Sequence, residues 1–202
     1  MRLRRLLAAL ALPFFLAACG AEPVWAPDEV VGRALHTTGD EPSLTLYTVI
    51  RVTGGEGAHS ALLVDNDHRA IFDPAGTWWH RAAPERNDVH YGMTPQMLRF
   101  YIDYHARETY YVVEQRVPVS PEVAAMAMRE IEAYGAVPKA MCAVSVSSIL
   151  RKLPGFEDTP RTYFPANIMR DFARRPGVTE RVIRDDDSDD NKGLLTTQAA
   201  AL

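Results

Sequence analysis

The sequence predicts an α+β domain built around an antiparallel sheet. Three observations support this fold class: β-branched and aromatic segments of strand length recur along the chain, amphipathic helical patterns lie between them, and a short turn joins one pair of strands. Hydrophobic residues make up 47% of the chain and charged residues 24%, which is enough apolar material for the core of an ordinary globular domain. We therefore expect one folded domain in which helices pack on a sheet.

Five segments have the β-branched and aromatic composition that is typical of strands. They are Leu44–Ile50, His59–Asp65, Arg69–Asp73, Thr109–Pro118 and Val178–Ile183. The second and third segments are separated only by the turn-forming residues at 66–68, so they should pair as an antiparallel hairpin.

Helical patterns fill several of the intervals between these strands. Thr94 and Ser120 each precede a proline and mark helix starts, because Ser and Thr cap helices and Pro is favoured in the first turn. The helices that begin there should extend to about His105 and about Tyr134. A further short helix is predicted within Tyr163–Phe172.

The helix that begins near Cys142 carries the residue of greatest chemical interest. Apolar residues recur at spacings of three and four from Val146 to Leu153, and Pro138 and Pro154 bound the segment. A cysteine in a first helical turn experiences the positive end of the helix dipole and unpaired N–H groups, and both favour the nucleophilic thiolate. The alternative is that Cys142 is a small buried apolar residue, as most free cysteines are.

The predicted hairpin brings a histidine and an aspartate to one end of the sheet. His59 opens the first strand of the hairpin and Asp73 closes the second. Neighbours on paired strands have Cβ atoms about 4.5–5.5 Å apart, which allows a carboxylate to bond an imidazole N–H. The alternative is a polar pair that faces water at the end of a hairpin.

The N-terminus has the three parts of an export signal. Met1–Arg5 is basic, and the apolar run Leu6–Ala18 has thirteen residues, which is short for a membrane span. The sequence Leu16-Ala-Ala-Cys19 resembles the lipobox of bacterial lipoproteins, in which the chain is cut before a cysteine that is then lipidated. A plain secretory signal with a chance cysteine is the alternative. The resemblance implies anchoring to the membrane through lipid on Cys19, and Gly20 after it implies sorting to the outer membrane, facing the periplasm.

We divide the chain accordingly into a signal peptide (1–18), a lipid-anchored linker (19–42), a domain (43–184) and a disordered acidic tail (185–202). With Cys19 lipidated, Cys142 has no disulfide partner within the chain, so it is either buried and inert or retained for chemistry. The formal net charge of −4 provides no electrostatic footprint for nucleic acid.

The order of these features resembles the circularly permuted NlpC/P60 group of papain-like proteins. In that group a histidine on a strand precedes the cysteine that opens a helix, as His59 precedes Cys142 here. The resemblance covers about Leu44 to Phe172. It implies a papain-like antiparallel sheet with the nucleophile helix packed on it, no cofactor, and a catalytic set of Cys142, His59 and Asp73. One departure is the aspartate, because ordinary members often have histidine as the third residue.

Such a set would make the protein a thiol hydrolase or acyltransferase that acts on an amide or ester through a thioester. The substrate would be a peptide or another acyl compound, with a cell-wall peptide and a lipid ester both open. Two alternatives remain. One is a non-catalytic envelope lipoprotein that retains a papain-like shell. The other is a metal site formed by His59, Asp73 and one of three further residues, namely His68, His80 or Cys142.

Replacing Cys19 with Ser should leave an uncleaved or soluble precursor, because the atom that would carry the lipid is lost. Fractionation followed by mass spectrometry of the membrane-bound protein measures this directly. An unmodified Cys19 in the mature membrane fraction would contradict the lipoprotein assignment.

Overall fold

The computed structural model describes residues 20–201, which form six helices and seven strands. The helices are α1 (Asp28–Ala34), α2 (Pro95–His105), α3 (Pro121–Tyr134), α4 (Cys142–Leu150), α5 (Pro165–Phe172) and α6 (Asn191–Ala200). The strands are β1 (Ser43–Arg51), β2 (Gly57–Asp65), β3 (Arg69–Phe72), β4 (Glu85–Arg86), β5 (Val89–Tyr91), β6 (Tyr110–Pro118) and β7 (Thr179–Ile183).

All seven strands belong to one antiparallel sheet in the order β4-β5-β3-β2-β1-β6-β7. The predicted α+β class is therefore confirmed. The predicted hairpin is confirmed too, since β2 and β3 pair from Leu62 opposite Phe72 to Asp65 opposite Arg69. The strands β1 and β2 lie at the centre of the sheet, where both of their faces are covered.

The two faces of the sheet support two separate hydrophobic clusters. Side chains alternate between faces along a strand. On β2, Leu62 and Val64 therefore belong to the cluster shared with α3, α4 and α5, whereas Ala61 and Leu63 belong to the cluster shared with α2. The sheet and its helices thus enclose β2 from Ser60 onward, and His59 immediately precedes this buried stretch.

The helix that begins at Cys142 is almost completely buried. Every residue of α4 except Ser148 is buried, and a helix that is apolar on all sides is expected inside a core. Its serines are accommodated because their hydroxyls donate to backbone carbonyls within the helix, as Ser145 Oγ does to the Met141 carbonyl at 2.8 Å. The helix packs against β2 and α3. This packing fixes the position of the Cys142 backbone relative to the strand that carries His59.

The segment from 20 to 42, which the sequence predicted as a linker, is partly folded onto the domain. It contains α1, in which Val31 is buried in the hydrophobic cluster shared with α3, α4 and α5. Just before the helix, Arg86 of β4 donates to the Ala26 carbonyl at 2.8 Å and lies over the ring of Trp25. Short polar segments with scattered prolines resemble linkers in composition, and only these tertiary contacts reveal the difference. Cys19 and the predicted signal peptide lie outside the described residues.

The expectation of a disordered tail from 185 to 202 is corrected by the structure. Residues Asn191–Ala200 form α6, whose first turn is capped by Asp190. The acidic run has partners: Asp187 pairs with buried Arg107, and Asp189 accepts a hydrogen bond from Thr109 at 2.7 Å. Gln198 is 3% exposed and donates to the Phe100 carbonyl at 3.1 Å. The tail is therefore held against α2 and the start of β6. Within residues 20–201, no helix has the length and apolar character to cross a membrane.

Truncating Leu150 at the end of α4 tests how much the packing of this helix contributes to the free energy of unfolding. Leu150 is fully buried, so Leu150→Ala should lower the free energy of unfolding by about 2–5 kcal/mol. Leu35, which is 46% exposed, provides a matched control, and Leu35→Ala should cost about 0.5 kcal/mol or less. Urea denaturation of both variants measures the difference. Similar losses for the two would show that α4 is not packed as described.

Candidate active site

His59 and Asp73 are in direct contact at one end of the β2–β3 hairpin. Nε2 of His59 lies 2.6 Å from Oδ1 of Asp73. The register of the hairpin would set Asp73 opposite Ala61, so the carboxylate reaches diagonally along the sheet to the histidine. The backbone of Asp73 has already left β3, and its N–H donates to the Asp88 carbonyl at 2.8 Å. The contact agrees with the proximity that the hairpin spacing predicted.

The carboxylate of Asp73 is buried and closely surrounded. The residue is 1% exposed, and Oδ1 also accepts a hydrogen bond from the Tyr101 hydroxyl at 2.7 Å. Oδ2 has no hydrogen-bond partner among the described residues. A Cβ on Gly76 would lie 1.8 Å from this oxygen, so only glycine leaves room for the carboxylate. Burial by itself would raise the pKa of Asp73, but the charge and hydrogen bond of His59 outweigh it and hold the pKa well below its ordinary value.

The pKa of His59 is shifted in the opposite direction, to a higher value. Burial is the largest influence and lowers its pKa, yet the negative charge of Asp73, the hydrogen bond to it and the nearby Cys142 together raise the pKa to about 10. The ring is therefore an imidazolium at neutral pH. Because Nε2 is held by Asp73, Nδ1 is the nitrogen left for proton exchange with other groups.

Cys142 is the first residue of α4 and its thiol interacts with His59. Burial opposes ionisation of this thiol, but the hydrogen bond with His59, its positive charge, and backbone N–H groups of Ser60 and Ala143 outweigh burial and lower the pKa. No side chain caps the N-terminus of α4 at Met141. The helix start therefore keeps its N–H groups available to a negative charge. Cys142, His59 and Asp73 form a continuous relay of thiol, imidazole and carboxylate.

Two residues with strained backbone flank this relay. Ala75, two residues after Asp73, has φ 57°, and Ala140, two residues before Cys142, has φ 64°. Left-handed backbone costs a residue with a side chain about 1–2 kcal/mol. The turn at Ala75 therefore directs the chain away from Asp73, and the turn at Ala140 directs it into helix α4.

A cleft of about 310 Å³ opens beside His59. Its wall includes the loop Ala75–Thr77, and α2 contributes Tyr104 and His105. The remaining lining comes from Val49, Ala58, Arg107, Tyr110, Asp189 and Asn191. The C-terminal segment, predicted as a free tail, thus contributes to the wall of the cleft.

A second groove lies on the other side of the same loop. It shares Ala75–Thr77 with the first cleft and is lined further by Trp78, Trp79 and Lys139 among others. The indole of Trp79 is 51% exposed, whereas Trp78 is buried. The two depressions therefore meet at the loop that follows Asp73, but His59 lines only the first of them.

Two site residues on α2 were missed by the sequence analysis. Tyr101 lies inside the helix predicted to begin after Thr94, but no role was predicted for its hydroxyl, which donates a hydrogen bond to Asp73. His105 was taken only as the end of that helix, yet its ring stacks on His59 with centroids 5.6 Å apart and planes 4° from parallel. The one available signal was the hydroxyl of Tyr101, because a buried tyrosine hydroxyl usually has a hydrogen-bond partner. No spacing in the sequence relates α2 to the β2–β3 hairpin.

The donor atoms that could hold a metal near the relay belong to His59, Asp73 and His105, which lie within 4.8 Å of one another. None of the three further residues anticipated from the sequence, His68, His80 and Cys142, belongs to this group, and His105 takes the third position. The geometry does not favour a metal. Nε2 of His59 is already bonded to Asp73, and Nδ1 of His105 to the Tyr101 carbonyl. The in-plane lone pairs of the two parallel imidazole rings also run side by side without converging on one ion.

Comparison of the chain with protein-family models, with curated proteins and with solved structures gave no match.

Alkylation of Cys142 by iodoacetamide should persist well below pH 7 in the wild-type protein. An ordinary thiol has a pKa of about 8.5. With the thiol pKa lowered and the imidazole pKa raised, the thiolate–imidazolium pair predominates between the two values. The reactive thiolate is lost only as pH falls through the thiol pKa. His59→Ala should move the alkylation profile to higher pH. His68→Ala, in the turn at the far end of the hairpin, should leave it unchanged. Overlapping profiles for folded wild type and His59→Ala would mean that Cys142 and His59 are uncoupled.

Gly76→Ala should disturb the relay without adding or removing a charge. The new methyl group would collide with Oδ2 of Asp73, so the carboxylate or the loop must shift, and we expect the contact with His59 to be weakened. The thiol should then ionise at higher pH than in the wild type, as followed by the same alkylation measurement. Gly32→Ala is the control, because a Cβ at Gly32 meets nothing within 4 Å. A wild-type profile for Gly76→Ala would contradict the described packing of the carboxylate.

Proposed function

We propose that this protein is a lipid-anchored cysteine hydrolase or acyltransferase of the bacterial cell envelope. Cys142 is the nucleophile and His59 exchanges protons with it. Asp73 orients the His59 ring and keeps it protonated. The observation that carries the proposal is the relay itself: a thiol at the uncapped start of a buried helix, an imidazole beside it, and a buried carboxylate 2.6 Å from the far nitrogen of that imidazole. These are the parts of a nucleophile–base–orienter set.

In the acylation step the Cys142 thiolate attacks the carbonyl carbon of an ester or amide. The oxygen becomes negatively charged, and N–H groups in the first turn of α4 are placed to stabilise it. His59 then donates its Nδ1 proton to the leaving alcohol or amine, and the acyl group remains on sulfur as a thioester. Asp73 keeps the ring in the orientation and protonation state that this transfer requires.

The resemblance to the permuted NlpC/P60 group supports the same assignment, since that group places its histidine strand before its cysteine helix. The antiparallel sheet with α4 packed on β2 is compatible with a papain-like arrangement. The lipobox-like sequence that ends at Cys19 supports anchoring at the outer membrane, on the periplasmic side. A cell-wall peptide, another peptide and a lipid ester are all acyl donors that such a site could use.

Turnover of activated substrates tests the proposal. The purified full-length protein should hydrolyse 4-nitrophenyl esters or cleave peptide amides, and mass spectrometry should detect the acyl group on Cys142. Cys142→Ala should abolish turnover, and Asp73→Asn should reduce it by about a hundred-fold or more, because the orientation and tautomer of His59 are no longer imposed.

Ser148→Ala is a matched control, since this residue lies on the same helix but on its less buried side. The control should keep wild-type turnover. If neither esters, thioesters nor amides are turned over and no acyl group reaches Cys142, the protein is a non-catalytic envelope lipoprotein.

A further inference from the structure

We propose that His105 is the general base that activates the attacking water when the acyl-enzyme is resolved. The two stacked imidazoles then divide the reaction, with His59 serving acylation and His105 serving deacylation. This inference rests on the function proposed above, because it assigns a second catalytic residue to the same site. Three observations carry it: the position of His105 in the cleft, the tautomer that its hydrogen bond to the Tyr101 carbonyl imposes, and the contact of His59 with the Asp73 carboxylate.

The first observation is position. His105 is the last residue of α2, and its side chain lines the cleft that opens beside His59. The two rings are parallel, with centroids 5.6 Å apart. Tyr101 and Tyr104 pack against the other sides of the His105 ring, which fixes its plane. A molecule in the cleft thus meets both imidazoles, which are held in a defined mutual orientation.

The second observation is the tautomer. Nδ1 of His105 lies 2.8 Å from the Tyr101 carbonyl, and a carbonyl only accepts hydrogen bonds, so Nδ1 carries a proton. In the neutral ring, Nε2 therefore holds a lone pair and acts as an acceptor. The charged groups that face His105 are His59 and Asp73. Burial first, and then the positive charge of His59, lower its pKa to about 4, so His105 is neutral at physiological pH.

The third observation is the charge on His59. A ring that Asp73 holds as an imidazolium has no lone pair with which to accept a proton from water. After acylation His59 has given up one proton, but the buried carboxylate favours its reprotonation from solvent. His105 is the neighbouring imidazole that remains unprotonated, and Asp73 also stabilises the positive charge that His105 acquires when it acts as a base.

Deacylation consumes one water molecule. Nε2 of His105 removes one proton from water while the oxygen attacks the thioester carbonyl carbon. The tetrahedral intermediate collapses with cleavage of the carbon–sulfur bond, and the electron pair returns to Cys142 as a thiolate beside the His59 imidazolium. The carboxylic acid product leaves, and His105 releases its proton to solvent.

Two substitutions in the full-length protein test this assignment. His105→Phe keeps an aromatic ring over His59 and removes the base, whereas His105→Gln keeps a side-chain donor for the Tyr101 carbonyl. With a 4-nitrophenyl ester, both variants should still acylate Cys142, but steady-state turnover should fall by about 10²–10⁴-fold, as expected for loss of a general base. Mass spectrometry should then detect accumulated acyl-Cys142. Hydroxylamine should restore turnover, because it attacks a thioester without the aid of a base.

The outcomes separate the two proposals. Absence of acyl-Cys142 and of turnover in the wild type would overturn the proposed function itself. Wild-type turnover by both variants, without accumulation of the thioester, would overturn the role of His105 and leave the relay intact. Equal loss of acylation and deacylation in His105→Gln, with no rescue by hydroxylamine, would also overturn it and would make His105 a residue that only positions His59.

Discussion

The contact between the buried Asp73 carboxylate and His59 is the interaction on which the rest of the site depends. A carboxylate removed from water is strongly disfavoured unless it is paired and hydrogen-bonded. At Asp73 the compensation comes from His59 at 2.6 Å and the Tyr101 hydroxyl at 2.7 Å, while the missing side chain of Gly76 leaves room for the second oxygen. His59 held in this way lowers the pKa of the Cys142 thiol through its hydrogen bond and its positive charge, which together with backbone N–H groups outweigh the effect of burial.

The members of this arrangement come from three separate parts of the fold. The β2–β3 hairpin supplies His59 and Asp73, the buried helix α4 supplies Cys142, and α2 covers the opposite face of the sheet with Tyr101 and His105. The position of the Cys142 backbone is well defined because α4 is buried on nearly all sides. The cleft itself is completed by the C-terminal segment, whose Asp189 and Asn191 lie in its wall.

Local patterns were sufficient to predict the α+β class, the hairpin, the helix that begins at Cys142 and the proximity of His59 to Asp73. Each of these follows from strand period, turn chemistry or proline positions within a few dozen residues. The tail could not be predicted, because a run of aspartates resembles a solvated segment until Arg107 and Thr109 are known to face it. The stacking of His105 on His59 could not be predicted either, because it depends on how α2 packs across the sheet. The folding of α1 onto the domain was missed for the same reason.

The protonation state of the two stacked imidazoles is the most direct test of the account. Nitrogen-15 NMR of histidine-labelled protein distinguishes a protonated ring nitrogen from one that carries a lone pair. At pH 7 the account predicts that both nitrogens of His59 are protonated, whereas His105 is neutral with its proton on Nδ1. In Cys142→Ala, His59 should remain charged, because Asp73 is still beside it. A neutral His59 in the wild type at pH 7 would contradict the thiolate–imidazolium pair and the catalytic relay built on it.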